Sequence, residues 1–141
     1  EIADRDWSSD VCSSDLIELF ITKDNKVIVN ELAPRPHNSG HYTIEACSFD
    51  QFDAHIRGIA GWPLEQPQLL KPAVMVNVLG QHVAPTRALI ADHPEWNVHD
   101  YCKAEVRHDR KMGHITVLTD DTAKTVADLE ATGCWDDLKK A

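Results

Sequence analysis

The sequence lacks the marks of a membrane protein and of a nucleic-acid binder. No apolar run approaches the roughly 18 residues of a membrane span, and no basic segment followed by an apolar one opens the chain. The 23 acidic residues outnumber the 14 basic ones, for a net charge of −9, whereas a protein that binds a phosphate backbone normally carries net positive charge. We therefore expect a cytoplasmic protein that binds no nucleic acid and no membrane.

Closely spaced cysteines are also missing. Cys12, Cys47, Cys102 and Cys134 are far apart and show no C-x-x-C spacing, which argues against the common zinc and redox motifs. Separate reduced thiols are the expected state. A hydrophobic fraction of 43% in 141 residues is enough for a folded core, so the chain belongs to the globular class.

The first 15 residues have neither helical nor strand periodicity. Residues 5–15 contain Ser-Ser-Asp twice, which is typical of a flexible polar tail and also resembles translated sequencing-adapter sequence. In the second interpretation natural sequence resumes near Leu16. Because the first residue is Glu1 and not Met, and a strand pattern follows soon after, we expect the chain to be the tail of a longer protein.

Two apolar segments, residues 16–22 and 27–32, flank a short polar stretch and predict a β-hairpin. A two-residue turn at Asp24 and Asn25 would set which residues face each other across the strands. The predicted pairs are Glu18 with Glu31, Phe20 with Val29, Thr22 with Val27, Ile17 with Leu32, and Ile21 with Ile28.

The predicted pair of Glu18 and Glu31 is the first candidate site. Like charges opposite each other in a sheet cost a few tenths to about 1 kcal/mol, so a compensating charge is expected. Magnesium commonly binds one or two carboxylates together with nucleotide phosphates. Two other interpretations stay open, namely a register slipped by one residue and a pair of solvated carboxylates.

The loop over residues 34–42 concentrates polar side chains between prolines and a glycine, which stiffen it. Arg35 offers a planar donor group suited to phosphate or carboxylate, and Asn38 can donate to the same kind of anion. His37 and His41 have the spacing of metal ligands on a helix. The proline and glycine beside them disfavour a helix there, so a metal site built on both histidines is not expected.

A second basic group lies in the C-terminal half, comprising Lys103, Arg107, Arg110 and Lys111. A solvated charged turn is the ordinary interpretation of such a run. The alternative is an anion site completed by Arg35, which requires the two segments to meet in space.

The remaining patterns predict a mixture of helices and strands. Helices are expected over residues 44–59, 85–90 and 121–138. The first should place Phe49, Phe52, Ile56 and Ile59 in the core and end at Gly61 and Pro63, and the third should have Asp121 or Thr122 as its cap, Val126 and Leu129 facing inward and Gly133 near its stop. Strands or extended segments are expected over residues 72–80, buried on both faces, over 96–103 and over 115–118. Strands and helices do not alternate steadily. The predicted fold class is therefore α+β.

Three segments carry a resemblance to a known family. They are VNELAPRPHNSGHYTIEAC at residues 29–47, PAVMVNVLG at 72–80 and RKMGHITV at 110–117. From about Leu16 to its end, the chain resembles the C-terminal part of the 5-(carboxyamino)imidazole ribonucleotide synthases, ATP-grasp enzymes of purine biosynthesis. The related formyltransferase of the same pathway diverges after Pro-Arg-Pro-His, and biotin-dependent carboxylases differ throughout this loop.

The resemblance implies a fold, a reaction and a set of ligands. Residues 1–15 would be a non-native or disordered tail, residues 16–70 the end of the ATP-grasp domain with its substrate loop, and residues 71–141 a small β-rich C-terminal domain. ATP and bicarbonate would form carboxyphosphate, whose carboxyl group passes to the amine of 5-aminoimidazole ribonucleotide. ATP and Mg²⁺ are the implied cofactors, and a homodimer is the implied assembly.

The resemblance also implies roles for individual residues. Glu18 and Glu31 match magnesium ligands, Asn30 and Glu31 match an ATP-binding pair, Arg35, His37 and Asn38 match substrate contacts, and Lys103 and Arg110 match the groups that hold the ribonucleotide phosphate. Metal and cations at such positions would neutralise phosphate charge during phosphoryl transfer.

The chain departs from the family pattern in two turns. His108 and Asp109 stand where Pro-Gly is common, and Cys102 stands where glycine is frequent, so the shape of these turns is in question. The family's N-terminal domain and its glycine-rich, lysine-bearing lobe have no counterpart in this sequence, and we expect the chain alone to be inactive. The alternatives are another ATP-grasp ligase or carboxylase, and a non-catalytic anion-binding module.

Overall fold

A computed structural model describes residues 15–136 of the chain. They form two compact units that divide between Gln68 and Leu69, and each is described by itself. The mixture of helices and antiparallel strands confirms the α+β class. The predicted tail, except for its last residue, and the last residues of the predicted final helix lie outside the described residues. Within the described part, no helix is both long and apolar enough to cross a membrane.

The first unit begins with the predicted hairpin, formed by β1 (Asp15–Ile21) and β2 (Val27–Pro34). Its loop contains three central residues instead of two, because the N–H of Thr22 donates to the carbonyl oxygen of Lys26 at 2.9 Å. Asn25, the last loop residue, adopts the left-handed conformation with φ of 58°, which asparagine tolerates better than most residues.

The longer loop displaces the predicted register near the turn by one residue. Leu19 faces Val29, Phe20 faces Ile28 and Ile21 faces Val27. The predictions that paired Phe20 with Val29, Thr22 with Val27 and Ile21 with Ile28 are therefore wrong.

A β-bulge corrects this displacement farther from the turn. The register shifts between Glu18 and Leu19, so that β2 contributes one extra residue, Asn30. Beyond the bulge, Glu18 faces Glu31 and Ile17 faces Leu32, as predicted. The prediction of the carboxylate pair was correct because two departures from the assumed hairpin cancel.

The hairpin is apolar on both faces, and both faces are exposed within the described residues. Its exposed side chains are Ile17, Leu19, Phe20, Ile21, Val27, Ile28, Val29 and Leu32, each between 49% and 74% accessible. Among the strands of residues 15–136, β1 and β2 pair only with each other, in a two-stranded sheet. Apolar strands of this kind are typical of sheets covered on both sides.

After β2 the chain forms a 3-10 turn at Asn38–Gly40 and two helices, α1 (Thr43–Ala46) and α2 (Gln51–Ala60). The continuous helix predicted over residues 44–59 is wrong, because the chain leaves the helical conformation between Ala46 and Gln51. Asp50 then caps α2 by accepting from the backbone N–H groups of Phe52 and Asp53. Gly61 ends α2 as predicted, with φ of 65°.

The predicted core role of the helical apolar residues is also wrong. Phe52, Ile56 and Ile59 are 42%, 58% and 71% exposed, and Phe49 is half-buried under the guanidinium of Arg57, 5.9 Å from its ring centre. Their spacing identifies an apolar helix face, but residues 15–68, the described part of the first unit, supply no layer that covers it.

The second unit contains an antiparallel sheet of β3 (Ala73–Leu79), β4 (Asn97–Asp100) and β5 (Lys111–Leu118), with β5 in the centre. Helices α3 (Val83–Leu89) and α4 (Thr122–Ala131) accompany it. The strand predicted over residues 115–118 thus begins earlier. β3 is an edge strand whose residues are mostly half-buried, which corrects the prediction of burial on both faces.

This unit has a core of its own. The buried cluster consists of Val78, Trp96, Ile115, Val117, Leu129, Cys134 and Trp135. Trp135 is held by a bond from its indole N–H to the carbonyl oxygen of Asn77 at 3.0 Å. Asp121 caps α4 and Leu129 faces inward, as predicted, whereas Val126 is 44% exposed and was wrongly expected inside. Because α4 ends at Ala131, shortly before Gly133, the helix predicted over residues 121–138 is wrong for residues 132–136.

Candidate functional site

The first unit brings three chemical groups together at the base of the hairpin. Glu18 and Glu31 lie opposite each other, and one ligand atom from each lies within 4.8 Å of the other and of a ring nitrogen of His37. Nε2 of His37 is 3.5 Å from Oε2 of Glu31. Because the bulge sets the register and the loop returns His37 to the same place, the cluster depends on both elements.

His37 is the less exposed partner of this contact. Its side chain is 13% exposed, against 47% for Glu31. Nδ1 of His37 accepts from the backbone N–H of Ser39 at 3.3 Å and lies 3.1 Å from the Ser39 hydroxyl. An acceptor nitrogen carries no proton, so the neutral ring has its proton on Nε2, the nitrogen that faces Oε2 of Glu31 across 3.5 Å.

These donors fit a hard divalent cation. Magnesium prefers oxygen ligands in compact octahedral geometry and completes its shell with water and phosphate, and two facing carboxylates offer such oxygens. A protonated Nε2 is a hydrogen-bond donor rather than a ligand, so Glu18 and Glu31 would hold the metal. In this arrangement His37 would fix the Glu31 carboxylate from outside the coordination shell.

The other predicted residues of the first unit lie around this cluster. Asn30 is the exposed bulge residue beside Glu31. Arg35 is exposed, and its Nη1 donates to the carbonyl oxygen of Pro36 at 3.3 Å. Asn38 is half-buried and begins the 3-10 turn.

One residue of this region escaped sequence analysis. The carboxamide of Gln51 accepts from the N–H of His37 and donates to its carbonyl oxygen, both at 2.8 Å. A single glutamine fourteen residues farther along the chain gives no periodic or motif signal, so only the folded arrangement reveals it.

Lys103 and Arg110 lie in the second unit, in the loop between β4 and β5. Nζ of Lys103 donates to the carbonyl oxygen of Lys111 and lies 5.5 Å from the centre of the Tyr101 ring. Nη1 of Arg110 donates to the carbonyl oxygen of Glu105 at 3.3 Å. Lys103 thus contacts the backbone at the start of β5 and Arg110 the backbone of the loop itself, and Arg110 is exposed.

The start of this loop is anchored by an ion pair. Nη2 of Arg87 donates to Oδ2 of Asp100 at 2.7 Å, and Oδ1 of Asp100 accepts from the N–H of Cys102 at 2.8 Å. The Arg87 bond, followed by the Cys102 bond, lowers the pKa of the Asp100 carboxyl. Burial raises the pKa of the neighbouring Tyr101 hydroxyl, which bonds to Nδ1 of His114 at 2.8 Å.

Both parts of the chain match known families. The profile of the ATP-grasp domain matches residues 12–52, and that of the phosphoribosylaminoimidazole carboxylase C-terminal domain matches residues 73–128. The N5-carboxyaminoimidazole ribonucleotide synthase of Staphylococcus saprophyticus is 54% identical over 110 residues, which are 77% of this chain and 29% of that relative. Over most of its length the chain is therefore similar to part of the N5-carboxyaminoimidazole ribonucleotide synthases.

Solved structures of this family agree with the fold. The N5-carboxyaminoimidazole synthetase of Staphylococcus aureus, complexed with ADP, matches 82% of the chain at a TM-score of 0.79 and 50% identity. The synthase of Aspergillus clavatus, in complex with ADP and 5-aminoimidazole ribonucleotide, also matches 82%, at a TM-score of 0.73 and 33% identity. The chain spans 31% and 33% of these two proteins.

The two departures from the synthase pattern coincide with unusual backbone. Cys102 and Asp109 have φ of 51° and 59°, in the left-handed region that glycine adopts without strain. Both are positions at which the resemblance described above leads us to expect glycine. Asp109 is held by Gln81, whose side chain bonds to both its N–H and its carboxylate. The loop therefore keeps a conformation suited to glycine with other residues in place.

Proposed function

We propose that this chain forms part of an ATP-dependent ligase that carboxylates 5-aminoimidazole ribonucleotide. In that reaction the γ-phosphoryl group of ATP passes to bicarbonate, giving ADP and carboxyphosphate. The ribonucleotide amine then attacks the carboxyl carbon, forms a C–N bond and releases inorganic phosphate. The similarity to these synthases and the relative solved with ADP and the ribonucleotide support this proposal.

The observation that carries the proposal is the carboxylate pair. Glu18 and Glu31 are brought face to face by a bulge, an arrangement that costs stability in a plain sheet. Bound Mg²⁺ would neutralise phosphate charge there. Glu31, together with Asn30, would also contact ATP.

The polar loop is proposed to meet the acceptor substrate. Arg35, His37 and Asn38 follow the carboxylates within one short segment whose backbone is fixed by the 3-10 turn and by Gln51. A preformed loop loses little conformational freedom on binding, which favours accurate placement of the amine. The guanidinium of Arg35, exposed and planar, suits an anionic group of the substrate.

Lys103 and Arg110 are proposed to hold the ribonucleotide phosphate. Each has donors beyond those used in its backbone contact. Lys103 also borders a cavity of about 320 Å³, within the size range of small-molecule sites. Bicarbonate as co-substrate, a homodimer and a cytoplasmic location belong to the same proposal.

Metal binding by the 141-residue chain tests the carboxylate assignment. Titration with Mn²⁺ as a spectroscopic substitute for Mg²⁺ is expected to show one site that Mg²⁺ displaces. Glu18→Gln and Glu31→Gln should each weaken Mn²⁺ binding at least about tenfold, because each removes a charged ligand. Glu65→Gln, an exposed glutamate of the same unit, should leave it unchanged, and equal effects of all three changes would overturn the assignment.

Activity is tested in the longer protein that contains this segment. ADP formation is expected to require 5-aminoimidazole ribonucleotide and to be lost in Glu31→Gln with the fold retained. ADP formation that depends on a different acceptor would instead identify another ATP-grasp ligase. Ribonucleotide binding without any ADP formation would point to a non-catalytic module.

A further inference from the structure

The side-chain carboxamide of Gln51 forms hydrogen bonds with the backbone of His37, as a peptide group of a neighbouring strand would. Its oxygen accepts from the N–H of His37 and its nitrogen donates to the carbonyl oxygen of the same residue, both at 2.8 Å. The same nitrogen lies 2.8 Å from Nδ1 of His41. One side chain therefore bonds to both backbone groups of His37 and reaches a second loop histidine. The carbonyl oxygen of His37 also accepts from the N–H of Gly40 at 2.9 Å, so the N–H of His37 is the group that depends more on Gln51.

Gln51 is itself fixed. It is the first residue of α2, which Asp50 caps through two hydrogen bonds. The N–H of Gln51 donates to the hydroxyl of Thr43 at 3.1 Å, and that hydroxyl donates to the carbonyl oxygen of Gly40 at 2.6 Å. The carboxamide thus transmits the position of a helix end to the loop.

Gly40 leaves the space that the carboxamide occupies. A Cβ atom at Gly40 would lie 2.5 Å from Oε1 of Gln51, closer than any real contact. Gly40 is buried, and its φ is not in the left-handed region. The absence of a side chain, rather than backbone freedom, is what this position requires.

The backbone of His37 in turn sets the direction of its ring. Nδ1 accepts from the N–H of Ser39 within the turn, and Nε2 lies 3.5 Å from Oε2 of Glu31. A shift of the His37 backbone would change this contact, and with it the orientation of a carboxylate of the pair.

We propose that Gln51 is a positioning residue, which holds His37 so that its Nε2–H fixes the Glu31 carboxylate for metal and substrate. This inference rests on the proposed function. In this role Gln51 acts on the carboxylate pair through His37.

The test uses the 141-residue chain and two measurements. The ¹⁵N shifts of the imidazole ring report which nitrogen of His37 carries the proton, and the Mn²⁺ titration reports the carboxylate pair. Gln51→Ala removes both backbone contacts. Gly40→Ala displaces the carboxamide while keeping Gln51, and Gln66→Ala, at an exposed glutamine of the same unit, is the matched control.

Gln51→Ala and Gly40→Ala are expected to mix the two His37 tautomers and to weaken Mn²⁺ binding about tenfold, the lower end of effects from groups behind metal ligands. Gln51→Glu keeps the acceptor for the His37 N–H and loses the donor to its carbonyl oxygen, so a smaller effect is expected. Gln66→Ala should change neither measurement.

The outcomes separate this inference from the proposed function. Suppose that Glu31→Gln weakens Mn²⁺ binding, but that both Gln51→Ala and Gly40→Ala leave the His37 tautomer and the Mn²⁺ affinity unchanged. The positioning role of Gln51 is then wrong. If neither glutamate variant affects the metal, the proposed function fails at that step, while a changed tautomer would still support the action of Gln51 on His37. If Gln51→Ala loses its far-UV circular dichroism signal and is therefore unfolded, the His37 tautomer and the Mn²⁺ affinity of Gln51→Glu and Gly40→Ala decide the question by the same criteria.

Discussion

The two units differ in how they treat apolar residues. In the second unit, Ile115 and Thr116 of the central strand are fully buried and two tryptophans pack in the core. In the first unit, apolar side chains on both faces of the hairpin and on α2 are exposed. The comparison shows that an apolar pattern identifies a surface that can be covered, whereas covering it requires another layer in the right place.

The polar groups with candidate functions form a closer cluster in the first unit than in the second. The carboxylates and His37 form a cluster in the first unit, while the predicted cations of the second unit contact loop backbone. The unit with the weaker core therefore contains the more elaborate arrangement of polar groups. Its candidate site is maintained by hydrogen bonds, caps and a bulge more than by buried apolar area.

Matched isoleucine substitutions give the largest expected contrast between the units. Ile115→Ala, at a fully buried position, should lower the free energy of unfolding of the second unit by about 2–5 kcal/mol through lost burial and a cavity. Ile59→Ala, at a position 71% exposed, should change stability by less than about 0.5 kcal/mol. Urea unfolding of the 141-residue chain measures both, and equal losses would remove the proposed difference between the units.

Relief of backbone strain in the second unit should have a smaller effect. Cys102→Gly is expected to stabilise by about 0.5–1 kcal/mol, since relief of a left-handed conformation is worth about 1–2 kcal/mol and the added freedom of the unfolded chain costs about 0.4–1 kcal/mol. Cys102→Ala retains a Cβ atom and should leave the melting temperature almost unchanged. A gain from alanine as large as that from glycine would show that the thiol, and not φ, is responsible.

The ion pair that anchors the cationic loop should have the smallest effect. Because the pKa of Asp100 is lowered in the fold, its contribution is present above the ordinary aspartate pKa of about 3.9 and is lost as pH falls through the folded value. Its side chain is 45% exposed, so screening limits the loss in Asp100→Asn to a few tenths of a kcal/mol.

Unfolding measured from pH 7 down to acid pH checks this prediction. The difference in the free energy of unfolding between the native chain and Asp100→Asn should become smaller as the Asp100 carboxyl is protonated. A difference that stays constant across this range would show that the Arg87 contact does not depend on the charge of Asp100.

Local signals predicted several elements well. The cap at Asp121, the glycine end of α2 and the short helix before residue 90 were read from residue types whose preferences act within a few positions. The break before α2 was missed although Asp50 is a good cap, because the apolar spacing continues across it. The hairpin register was correct at Glu18 only because the bulge at Asn30 offset the longer loop.

By itself the sequence determined the resemblance to the synthases, the α+β class and the residue types available for chemistry, because these depend on local preference and on motifs read along the chain. Only the tertiary structure decided that His37 joins the two carboxylates, that Gln51 holds its backbone, and which apolar faces are covered. These outcomes depend on contacts between residues far apart in the chain, which no local periodicity encodes.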